Sequence, residues 1–408
     1  AVWYFAYFMN PGVIYSQSLK NTGKGYDKLV TYVDKQEQLA EKGYTGTGNY
    51  KVKLGDLSTD GSVAFKSDSE NAELTFDVGA AATRVNADIR TFKSSGETPD
   101  IYIKAKDIKG LGTVLGIPEL DAGLAKIDDS WIVIDHTLID NLRGATAAET
   151  EASSLEGPTR EQILDEVRAF GRVNQEYVFS TDEDKAVTKI VKKYGKETVD
   201  GHKTYHYQVA LQKDNVKKYI YAQRDALKAS KLNGWLEQND YDKTVYDGFE
   251  EAAKSTKDIK STDTFDIWVD TSKRVVYKVR FSEDKNPAAN YVDLGLDYEG
   301  GDIFPFFLAG KFTEDDVTTF KLDAILDTES GATRFNLDVK NDSEKNGGNV
   351  TATLNFKPSE ATVKIDKPEN AKPLSQALNE LGLGDLLGEY SQTAADSGDG
   401  RLEVINLD

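Results

Sequence analysis

Histidines are the first place to look for chemistry, because imidazole serves as ligand, base and acid near neutral pH. The chain holds three of them. His202 and His206 stand four apart, a spacing that puts two ligands on one metal when the segment is a helix. Here it reads as a strand: Tyr205, Tyr207, Val209 and Leu211 alternate with Thr204, His206, Gln208 and Ala210. Four strand residues carry the two imidazoles about 13 Å apart, whereas zinc binds nitrogen at about 2 Å. They are therefore ordinary strand-face histidines, and no metal site is expected. Asp135 and His136 supply two members of a nucleophilic triad, yet no Gly-x-Ser-x-Gly elbow accompanies them and no particular serine is singled out. The Gly-rich residues 43–48 have no strand in front of them, so they form a turn and not a phosphate cradle. Hard oxygens cluster in the acidic turns 327–331 and 396–400, where calcium could sit, although solvated hairpin turns are the commoner use of such sequences. No catalytic residue, cofactor or metal is assigned, and the chain is not expected to be an enzyme.

Composition narrows the function further. Lys plus Arg is 50 and Asp plus Glu is 69, a net charge of −19 that repels nucleic acid and anionic headgroups. Cysteine is absent, which removes disulfides, thiolate chemistry and the lipid-acceptor cysteine of a bacterial lipoprotein. Hydrophobic residues at 39% and interspersed charges describe a folded chain, and 408 residues suffice for one large or two ordinary domains. An acidic, cysteine-free, tyrosine-rich profile is common in exported bacterial surface proteins.

Around these residues the chain supplies a succession of elements. Residues 1–10 open with AVWYFAYFM, too short to cross a bilayer core that needs about 20 residues. They read as the end of a hydrophobic membrane anchor formed by Trp3, Tyr4, Phe5, Tyr7 and Phe8, of which Trp3, Tyr4 and Tyr7 suit the interface. The alternative is a short segment buried in this protein or in a neighbouring copy. Residues 11–42 are a helical lead-in, with Ile14, Leu19, Tyr26, Leu29, Val30 and Val33 on one side and Gly23 and Gly25 weakening its middle. From 43 to 143 the period becomes two, giving the first part of an antiparallel sheet. Residues 144–158 are a linker. Residues 159–372 hold helices and the second part of the sheet, beginning with a capping box at Thr159 and Gln162. Within it, the turn Asp200-Gly201 feeds the strand of Tyr205, and Asp214 is a candidate cap for the next helix. Strands are expected as far as 363–365, but Pro305 makes the greasy stretch 303–308 a loop, either folded into the protein's own core or serving as a lid, a rim or a contact. Residues 373–408 are a closing helix and a tail whose RLEVINLD alternates like a docking strand. The fold class is α+β: a large curved antiparallel sheet, half-barrel-like, with a few covering helices and an N-terminal helix.

The order of signals resembles the LolA-like half-barrel fold of periplasmic lipoprotein carriers and mycobacterial lipid-carrier lipoproteins. The resemblance is carried by Asp100 to Lys104 with Trp131 downstream, by Glu197 to Gly201 leading into Tyr205-His206-Tyr207, and by Ile267 to Asp270 followed by Val275 to Val279. It covers roughly residues 40–370. Asn10-Pro11 running into Tyr15 after an apolar segment also looks like membrane-anchored surface proteins of small-genome, Saccharibacteria-type bacteria. The first resemblance implies an apolar, lipid-like ligand held without covalent chemistry, at the extracytoplasmic face of the membrane or the cell surface. Tyr205, Tyr207 and Trp268 would line the site, and Phe304, Phe306 and Phe307 would line it or cover it. The other reading is a structural protein whose copies self-associate into a surface layer or filament through sheet edges and the two termini. Missing cysteine, acidity and length favour that one.

Overall fold

The computed structural model describes residues 10–39, 42–68, 70–80, 83–93, 98–114, 116–140, 157–260, 262–282, 288–298, 301–314, 316–343 and 347–384. The anchor residues Trp3, Tyr4, Phe5, Tyr7 and Phe8, the linker up to residue 156 and the C-terminal tail lie outside these. The α+β class, the extensive antiparallel sheet and the N-terminal helix are all present. Two compact units form, one from residues 1–39 and 155–347, the other from 40–154 and 348–408.

Helix α1 (Pro11–Leu39) runs unbroken through both glycines. Glycine costs about 1 kcal/mol of helix propensity, and the reason for it is close packing: a Cβ on Gly25 would meet the Tyr298 ring at 3.3 Å, and one on Gly23 would press on Gln175 and Phe179. Strands β1 (Tyr44–Leu54), β2 (Leu57–Ser67), β3 (Ala72–Ala80), β4 (Thr83–Phe92), β5 (Asp100–Lys106) and β6 (Trp131–Ile134) come next, with the short helix α2 (Asp121–Ile127) between the last two. The expected capping box closes on both sides at the start of α3 (Arg160–Tyr177). After it stand β7 (Thr188–Val199), β8 (His202–Leu211), α4 (Lys213–Ala229), α5 (Lys231–Gln238) and α6 (Asp242–Ser255). The chain then lays down β9 (Thr264–Asp270), β10 (Val276–Ser282), β11 (Tyr291–Leu296), β12 (Ile303–Thr313), β13 (Val317–Asp327), β14 (Thr333–Asn341), β15 (Gly348–Pro358), the two-residue β16 (Lys372–Pro373) and α7 (Leu374–Leu381).

In the first unit the strands pair in sequence order from β7 to β14, every neighbour antiparallel. In the second the order is β15-β1-β2-β3-β4-β5-β6-β16, antiparallel except for the last pair. Short turns allow this: Asp200 and Gly201, both at positive φ, close the β7–β8 hairpin as their sequence predicts.

Three local expectations change. Residues 303–308 are not a loop but the start of β12, and Pro305 is tolerated because its carbonyl side faces Asp297, one residue past the end of β11, where no ladder donor is missed. Asp214 lies in the first turn of α4, whose cap position is Gln212. Residues 363–365 form no strand; Val363 and Ile365 instead pack with Phe92 and Tyr102 as an extended core segment.

Candidate functional site

Alternation sorts the six apolar candidates onto opposite faces of the first unit's sheet. Tyr205, Tyr207 and Val209 of β8 and Ile267 and Val269 of β9 point toward α1, which supplies Ile14, Tyr15 and Leu19. Tyr207 is 0% exposed, its hydroxyl donates to the Pro11 carbonyl at 2.6 Å, and its ring lies 5.2 Å from that of Tyr15. Burial pushes its pKa upward. Phe304 is equally sealed, stacked on Tyr298 at 4.6 Å, and the partly buried Phe306 packs against the same cluster. Trp268 stands between Ile267 and Val269 and so emerges on the other face. Phe307 also lies there, its ring laid over Gly295, where a Cβ would collide with it. The six residues do not converge on one site, and Tyr205, Tyr207 and Phe304 are filled by the protein's own helix.

That other face carries a ladder that alternation does not reveal. Bulges in β7 and β10 insert Val191, Tyr194 and Tyr277 as extra residues and shift the phase of the side chains beyond them. The Tyr194 ring stacks on His206 at 4.4 Å, His206 on Trp268 at 4.5 Å, and His202 on Tyr277 at 4.2 Å. Lys278 sits 4.9 Å above the Trp268 ring, and Arg280 lies 3.8 Å over Tyr291. Each imidazole has two carboxylates: Glu197 and Asp266 at 3.1 and 2.8 Å for His206, Asp270 and Asp297 at 3.2 and 3.6 Å for His202. The Trp268 indole N–H donates to Glu197. Arg280 grips Asp293 with two bonds of 2.6 and 2.7 Å, which raise the guanidinium pKa. Burial works to raise the Asp270 carboxyl, but donors from Lys273, Ser272 and His202 outweigh it and hold it below the usual range. The polar partners of this face are thus already matched with one another. The histidines keep separate partners as the strand spacing implies, and among the described residues no three metal-type side chains converge.

The other sequence candidates are similarly engaged. His136 bonds Asp100 at 2.8 Å, not its neighbour Asp135, which instead accepts from the Leu138 N–H. Asp327 accepts from Ser330 and from the Glu329 N–H within its own turn. The turn 396–400 lies outside the described residues.

The second unit has the opposite character. On one face of β2 to β4, charges pair across strands: Lys66–Glu73–Arg90 at 3.0 and 2.9 Å, and Arg84 between Asp60 and Asp77. Registers place Tyr50, Val63, Phe65, Phe76, Val78 and Leu354 on the reverse face, and no charged residue stands among them from β15 through β3. Helices α2 and α7 pack on the β4–β6 end, around Val85, Ala105 and Ile132. Among the described residues, no apolar side chain of β1, β2, β3 or β15 reaches full burial. The face is lined instead by its own rings. Phe65 lies across Gly46, and a Cβ on Gly61 would stand 2.5 Å from the Tyr50 hydroxyl oxygen. At the β1–β2 turn Leu54 and Leu57 are 55% and 77% exposed.

No protein-family model matches the chain, and neither does any curated protein. Among solved structures it is similar to a DUF1329 family protein from Desulfovibrio piger at 10% identity, covering 83% of this chain and 93% of that one, with a TM-score of 0.18. A second is the CymD monoaromatic hydrocarbon channel, at 9% identity, 82% and 93% coverage and a TM-score of 0.21. A third is the Pseudomonas aeruginosa MucA/MucB complex, at 8% identity, 81% and 100% coverage and a TM-score of 0.11. Superpositions this loose transfer no function, which leaves the chain's own geometry to carry it.

Proposed function

We propose that this is a non-catalytic extracytoplasmic protein, held at the membrane through its N-terminal apolar residues, that binds an apolar, lipid-like ligand on the reverse face of β15-β1-β2-β3. The observation that carries this reading is an uncharged sheet face that, among the described residues, no helix of its unit seals. Apolar contact there gains about 25 cal/mol per Å² removed from water, and no charge must be desolvated. The half-barrel resemblance supports the same reading, with the ligand surface moved from Tyr205 and Tyr207 to Phe65 and Phe76.

Assembly through sheet edges is the weaker reading because the edges are blunted. Strand β7, at one end of its unit's order, carries exposed Lys189, Lys192, Lys193 and Lys196 and two bulges. Strand β16 has only two residues, one of them Pro373. Lysines, bulges and proline are the devices that prevent edge pairing.

A fluorescent long-chain fatty acid titrated into detergent-free protein tests the proposal. Saturable binding is expected, weakened about tenfold or more by Phe76→Asp, which puts a charge on the face. Binding that does not saturate, or that Phe76→Asp leaves unchanged, overturns it.

A further inference from the structure

In the helical layer of the first unit, Glu166 stands on α3, facing the junction where α4 ends and α5 begins. It is 7% exposed, and both carboxylate oxygens are shielded from solvent without a hydrogen-bond partner. Ser230, at that junction, gives its proton to the Leu227 carbonyl at 2.8 Å. The neighbouring acids are served: Asp165 accepts from the Lys231 N–H at 2.8 Å, and Glu161 pairs with the Lys231 ammonium. A buried carboxylate with no cation against it, and beside it only a hydroxyl whose proton is committed to the Leu227 carbonyl, is costly when ionised and far less so when protonated.

We propose that Glu166 is a proton-gated latch: protonated, it lets α3 seat on the α4–α5 junction, and ionised, it loosens that seat. The titratable and polar groups that act on it are Asp165 on its own helix, Ser230 at the junction and Tyr246 on α6. None of them supplies positive charge. Burial pushes the Glu166 carboxyl up, Asp165 pushes it further, and Ser230 offsets part of the rise. Tyr246 is pushed up in turn, chiefly by burial and with Glu166 among the contributing charges.

Proton linkage sets the direction of the response. A carboxyl whose folded pKa is raised adds stability below its ordinary value of 4.5 and loses it as pH climbs through the folded value. Between those two values the open population grows by up to about tenfold per pH unit. The latch stands whether or not the sheet binds a ligand.

Hydrogen exchange of the full chain, corrected for intrinsic rates and followed from about pH 4.5 upward, reads it directly. Amides of residues 163–170 and 227–233 are expected to lose protection progressively with pH. In Glu166→Gln that dependence should vanish, and Glu166→Met serves if the first variant folds poorly. Protection in the native protein that stays flat with pH overturns the latch. So does a slope that persists in either folded variant.

Discussion

The sheet around Tyr207 and the sheet around Phe76 are written in the same alternating pattern, yet among the described residues only the first has a helix sealing it. The difference is in the helices. Helix α1 spans 29 residues, about 43 Å at 1.5 Å per residue. It lays Ile14, Tyr15 and Leu19 along β8 and β9. In the second unit α2 and α7 have 7 and 8 residues, about 10 and 12 Å. With strands about 4.8 Å apart, each covers two or three of them. An apolar face is thus a statement about one element, and whether it becomes core depends on the length of another.

Substituting one residue from each region should break the symmetry of the pattern most strongly. Tyr207→Ala removes a fully buried ring and its bond to Pro11, and is expected to cost about 3 to 5 kcal/mol in urea denaturation. Phe76→Ala, from a face already partly wet, should cost roughly 1 to 2 kcal/mol. Equal losses would mean that both faces are sealed.

Next in size is the polar side of the sealed sheet. Asp270→Asn weakens the acceptor of the Ser272, Lys273 and His202 bonds, at an expected loss of about 1.5 to 3 kcal/mol near neutral pH. Because those donors hold the Asp270 carboxyl below its ordinary 3.8, its contribution is present above that value and fades as pH falls through the lower folded value. Denaturation midpoints of variant and native protein should therefore converge in acid. Parallel profiles would show that Asp270 contributes no charge-dependent stability.

A change at Gly46 sharpens the open side. Gly46→Val puts a branched side chain under the Phe65 ring, displacing it for about 1 to 3 kcal/mol. Fatty-acid affinity should change with it. If stability falls and affinity does not, Phe65 is no part of the ligand surface.

Much of this was legible in the sequence. Alternation gave the hairpins of β1 to β4 and of β13 and β14, and Thr159 with Gln162 marked the start of α3. The ladder was hidden because the extra residues Val191, Tyr194 and Tyr277 each break the period of two on which such reading depends. Strand β12 was obscured by Pro305, whose missing N–H matters only if a partner strand extends far enough to notice it. The fate of Tyr205, Tyr207 and Phe304 stayed open between ligand and core, because a greasy strand face looks the same whether it awaits a ligand or a helix.

Native mass spectrometry of the full chain, purified and freed of detergent, tests the open face most directly. A folded monomer carrying one lipid-sized adduct, removable by organic extraction and absent from Phe76→Asp, is the expected result. An adduct-free native monomer that added fatty acid does not convert to a complex would contradict ligand binding on that face.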